Sequence, residues 1–105
     1  MIKREKRRYL AVNVETVQPV DEQTVLDAVY GSVVMLFGEV GASQTNLRMI
    51  KFVVEKNQFV IQCSHKMLEP VRAAVAFTVL VGGNRAALHV VNVSGTLKAL
   101  AGKTA

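Results

Sequence analysis

The chain has 105 residues, 50% of them hydrophobic and 20% charged, with a formal net charge of +5 and one cysteine. That length fits one domain, 1–105, with a core able to fold without staples. The single Cys63 excludes an intrachain disulfide, and with His65 and His89 far apart there is no zinc-ligand spacing.

The charge is concentrated. Lys3, Arg4, Lys6, Arg7 and Arg8, broken only by Glu5, carry +4 of the total, and the remainder of the chain is nearly neutral. They run directly into Tyr9-Leu10-Ala11-Val12-Asn13-Val14, whose alternation over 8–15 predicts a half-buried strand. Charge at the mouth of a strand is held on a scaffold, so the cluster 1–8 reads as a polyanion site. A mobile tail that serves solubility is the plainer alternative. The apolar stretch after the cluster is interrupted by Asn13 and Glu15, unlike a secretory signal, and no apolar run is expected to reach the length of a membrane span. A soluble, cytoplasmic protein in a reducing compartment is expected, with no membrane partner.

After Pro19, Asp21 can cap a helix over about 22–37, with Leu26, Val29, Val33 and Leu36 recurring at three and four and Gly38 closing it. Val25, Val34 and Met35 make it apolar on more than one stripe, a candidate subunit contact. A loop over 38–46 is expected next. Residues 47–55 and 58–64 read as strands of a hairpin about Lys56-Asn57. Met67 to Leu80 is helical in pattern, with the regular helix starting near Glu69 because Pro70 is tolerated only in a first turn. Gly82-Gly83-Asn84 turns the chain into a last strand, Arg85 to Val93, and Ser94-Gly95-Thr96 either forms an anion nest or caps a short closing helix through Leu97, Lys98 and Leu100.

The predicted class is α+β. Its architecture is a ferredoxin-like or RRM-like βαββαβ sandwich, a four-stranded antiparallel sheet with two helices on one face, the other face open, and a short C-terminal helix. That scaffold hosts many functions. Phe59, in phase with Ile61 and Cys63, is expected to face the helices, and Tyr9 to be a packed edge residue, so shape and backbone contacts are expected rather than base stacking on the sheet. Cys63 reads as an inert buried thiol, the histidines and scattered carboxylates form no acid/base pair, and there is neither a phosphate-binding glycine loop nor a nucleophile elbow. The chain is not expected to be an enzyme on its own.

Four segments carry a resemblance: Arg4-Glu5-Lys6-Arg7-Arg8-Tyr9-Leu10-Ala11, Ile61-Gln62-Cys63, Val71-Arg72-Ala73-Ala74-Val75-Ala76 and Val93-Ser94-Gly95-Thr96-Leu97-Lys98. In order and spacing they resemble the ribonuclease P protein component 2 family, archaeal relatives of a eukaryotic ribonuclease P and MRP subunit. The resemblance implies an accessory subunit of an RNA enzyme that removes the 5′ leader of precursor tRNA. It implies that the RNA, with its Mg2+, performs the hydrolysis, and that the protein itself holds no metal or cofactor. It further implies ribonuclease P RNA, precursor tRNA and ribonuclease P protein component 3 as partners, with a homodimer inside a heterotetramer. The family often has Arg where this chain has Gln62 and a charged residue where it has Ser64, which moves the expected RNA contacts onto Lys3, Arg4, Lys6, Arg7, Arg8, Arg72, Arg85 and Lys98. A stand-alone RNA- or DNA-binding module is the alternative. A small-molecule-sensing or acylphosphatase-like domain ranks below it, since residues 16–20 supply neither the Gly nor the Arg that an acylphosphatase loop needs.

Overall fold

A computed structural model of the chain describes residues 6–53 and 56–104, with 101–104 by backbone alone. Five strands, β1 (Arg7–Thr16), β2 (Arg48–Val53), β3 (Gln58–Ser64), β4 (Leu80–Val81) and β5 (Asn84–Ser94), alternate with three helices, α1 (Glu22–Ser43), α2 (Leu68–Phe77) and α3 (Leu97–Thr104). The sheet order is β2-β3-β1-β5-β4, and every pairing is antiparallel.

Leu10, Val12 and Val14 of β1 and Phe59, Ile61 and Cys63 of β3 point to one face, where Val25 and Val29 of α1 and Val71 and Val75 of α2 close the main core. All ten are at most 3% exposed, so this layer supplies most of the apolar burial that stabilises the fold. The rings of Phe52 and Phe59 stack across the β2–β3 pair with centroids 4.2 Å apart.

Four expectations are corrected. The sheet has five strands rather than four, because α2 stops at Phe77 instead of running on to Leu80. Thr78 turns extended there, and its hydroxyl donates to the Ala74 carbonyl (2.7 Å) and meets Ser32 of α1 (2.7 Å), a buried polar clasp that ends the helix. Gly82 and Gly83, both at positive φ, then fold Leu80–Val81 back on Asn84–Arg85 in a tight hairpin that only residues tolerant of that conformation allow.

Second, the face opposite α1 and α2 is not left open. Leu100 of α3 is buried there against Ala11 and Val60, with Tyr9 and Ile50 packed around them. Third, residues 38–46 are not all loop: Gly38 (φ 77, ψ 172) breaks α1, but helix resumes and runs to Ser43. Fourth, α1 is by length and composition apolar enough to cross a membrane, contrary to expectation. The break at Gly38 interrupts it, however, and Val25, Val29 and Val33 are spent in the cores of this fold.

The capping readings agree with the geometry. Asp21 accepts from the Thr24 amide at 2.7 Å, which holds its carboxyl below the usual value. Thr96 Oγ1 accepts from the Ala99 amide at 3.1 Å and Ser94 Oγ from the Thr96 amide at 3.3 Å, so Ser94-Gly95-Thr96 is a cap for α3.

Candidate nucleic-acid interface

Lys3 and Arg4 lie outside the described residues. Lys6, Arg7 and Arg8 do not form a loose tail. The Lys6 carbonyl accepts from the His65 amide at 2.8 Å, and Arg7 and Arg8 pair with Ser64 and Cys63 of β3. Strand alternation sends Arg7 to the α3 side of the sheet and Arg8 to the core side, in the row of Cys63. Arg8 Nη1 donates to the Arg7 carbonyl (3.0 Å), and its guanidinium passes so close to Gly95 that a Cβ there would sit 3.2 Å from Nη1.

On the α3 side, at the end of the sheet where β1 begins, a cleft of about 550 Å3 opens between Arg7 and Tyr9 of β1, Gln62 and Ser64 of β3, and Arg48 of β2, with Asn46 and Gly95 at its margins. Its floor is a cross-strand row. Arg48 faces Gln62, Gln62 faces Tyr9, and Tyr9 faces Ser94, each a direct neighbour on the adjacent strand. Arg7 and Arg48 therefore flank a polar floor at two places on one face.

Two bulges set this row. In β2 the register slips between Met49 and Lys51, so Met49 enters the core while Arg48, which strict alternation would have sent inward, turns to the cleft. In β5 the register slips where Val91 is inserted, which sends Val93 inward and leaves Asn92 opposite Ala11. Lys98 is exposed in the first turn of α3, the helix that begins just after Gly95 and covers the sheet beside the cleft.

Among the described residues, Lys6, Arg7, Arg8, Arg48 and Lys98 have no carboxylate in ion-pair range, so these cations are not paired off by them. Arg85 and Arg72 are not brought to it. Arg85 adjoins the far end of β1, about 30 Å from Arg7 at the usual strand rise. Arg72 is on α2, beside a groove lined by Leu88, His89 and Val90 at the opposite sheet edge from β2.

Sequence reasoning misses Arg48, Asn46, Gln62 and Ser64 as site residues. One signal is available. Gln58, Gln62 and Ser64 share with Val60 the phase of β3 opposite Phe59, Ile61 and Cys63, so a strand apolar on one face is mostly polar on the other, and all seven of its residues are buried. Among the described residues, no group of three or more His, Cys, Asp or Glu could hold a metal ion. Cys63 is buried, and desolvation pushes its thiol up to about 11, only partly opposed by the Arg8 charge.

Comparison with known proteins gives four findings. The model of the Rpp14/Pop5 family matches residues 8–104. The chain is 37% identical over 95 residues to the Ribonuclease P protein component 2 of Methanosarcina mazei, covering 90% of this chain and 80% of that protein. It is 27% identical to that of Pyrococcus furiosus, over 92% and 81% of the two chains. Among solved structures, a chain in the cryo-EM structure of yeast Ribonuclease MRP superposes with a TM-score of 0.67 at 10% identity, over 92% of this chain and 79% of that one, a likeness of fold.

Proposed function

We infer, from the fact that this chain belongs to the Rpp14/Pop5 family, that it is a protein subunit of a ribonuclease P ribonucleoprotein and takes part in removing the 5′ leader of precursor tRNA. The observation that carries its mode of action is the cationic cleft at the head of the sheet, whose arginines have no carboxylate in ion-pair range among the described residues. Lys3, Arg4, Lys6, Arg7, Arg8 and Lys98, joined by Arg48, neutralise phosphates of the catalytic RNA, releasing counterions and lowering the magnesium that the RNA needs to fold. The protein braces the RNA, and the RNA with its Mg2+ performs the hydrolysis. The site so drawn leaves out Arg72 and Arg85, which face elsewhere.

The protein partner is assigned to the far half of α1. Met35 is 73% and Val40 75% exposed, with Leu36 and Phe37 beside them, more apolar surface in one stretch than water favours. Ribonuclease P protein component 3, or a second copy of this chain, is the occupant this reading gives it. The complex works in the cytoplasm.

Reconstitution of leader cleavage with the cognate RNA and its partner proteins tests the role. Adding this chain should raise cleavage at limiting magnesium, with a smaller gain at saturating magnesium. Equal activity with and without it at limiting magnesium would refute the subunit role.

A further inference from the structure

Phosphate contacts account for Arg7 and Arg48 but not for the floor between them. Gln62 is 6% exposed, and its side-chain amide makes no hydrogen bond among the described residues. No side-chain polar atom of those residues is both sealed from solvent and unpartnered, so this amide opens to the cleft that it lines. A primary amide offers two donors and an acceptor, and burying it without partners is unfavourable. Open to the cleft, it can be met by solvent or by a polar group that enters from outside in water's place.

Tyr9 is the next residue along the same row, directly opposite Gln62. It packs against the cluster of Ala11, Val60 and Leu100 and still lines the cleft, so its ring is held in place by α3. An aromatic ring on a sheet, an amide at its edge and cations on either side are the elements with which proteins hold an unstacked base of RNA. The volume of about 550 Å3 falls in the usual range of pockets for a ligand of that size.

Building on the reading of this face as an RNA contact, we propose that the cleft takes one unpaired nucleotide of the bound RNA. The base lies against Tyr9 with its edge hydrogen-bonded by Gln62, and Arg7 and Arg48 hold the phosphates on the two sides. Of the four bases, adenine offers the N6 donor beside the N7 acceptor that a glutamine amide meets as a pair, so adenine is the preferred occupant. It stands against the expectation of shape and backbone contacts rather than base stacking. Phe59 does face the helices, but Tyr9, with Gln62 beside it, serves the base.

The probes are RNA hairpins of one sequence, either fully paired or carrying a single bulged A, C, G or U. The intact protein should bind the bulged-A hairpin about tenfold tighter than the paired one, the scale of one stacked base, with the other bulges between. Tyr9→Leu should abolish this gain while leaving affinity for the paired hairpin within about twofold, which also shows that the variant is folded. Gln62→Leu should flatten the ranking among the four bulges. Equal binding of bulged and paired hairpins by the wild-type chain would overturn the nucleotide pocket while leaving the RNA-binding face standing. Failure to bind either hairpin in dilute salt would overturn both.

Discussion

Cys63 stands opposite Arg8 in the β1–β3 ladder, buried on the core side, and its thiol is raised from 9.0 to about 11 by desolvation. A buried neutral thiol is a poor nucleophile, so at neutral pH it should react with iodoacetamide at the rate of global or local opening and label quickly only in denaturant. Fast labelling of the native chain would contradict this placement. The same shift fixes a pH window. The stability tied to the protonated thiol is fully present below pH 9, where both states keep the proton, and is lost as the pH rises through about 11, because the unfolded chain ionises first. Urea denaturation of wild type and Cys63→Ala should therefore show wild type losing more stability than the variant between those values. Parallel curves would show that the thiol is not desolvated.

Most elements can be read from the chain, and those that cannot share a cause. Alternation in β1 and β3, the Asp21 cap and the Thr96 cap are local signals, decided by residues a few positions apart. The end of α2 is not local: the apolar rhythm of Val71, Ala74, Val75, Thr78 and Val79 continues past Phe77, and contact between Thr78 and Ser32 of α1 stops the helix. The placement of α3 is equally invisible, since Leu100 finds Ala11 and Val60 only once the sheet exists. Leu100→Ala tests that placement. Truncating this one contact should cost about 2–4 kcal/mol of the docking of α3, read as faster amide exchange through 97–104 with protection of β1 and β3 retained. Unchanged exchange in α3 would mean that Leu100 does not anchor it.

At the scale of the whole molecule, the excess charge of a nearly neutral domain lies in its first eight residues, and the sheet places Arg7 of that cluster, with Arg48, on a polar cleft. Lys6, Arg7 and Arg8 are legible as a cluster because they are contiguous. Arg48 is not, because a single bulge at Ile50 decides its face, and nothing in the alternation of 47–55 announces a bulge. Arg72 and Arg85 look equivalent to the others as charges and differ only in where the fold carries them.

The claim that joins these scales is that fixed cations at the head of the sheet hold the phosphates of ribonuclease P RNA. The affinity of that RNA for the wild-type chain and for the combined variant Lys6→Ala, Arg7→Ala, Arg48→Ala, titrated against monovalent salt, tests it most directly. Each lost phosphate contact flattens the log–log slope by about 0.7–0.9, so the variant should bind more weakly with a slope shallower by about 2–3, while its thermal melt stays in place. Unchanged affinity and slope in a folded variant would contradict the account.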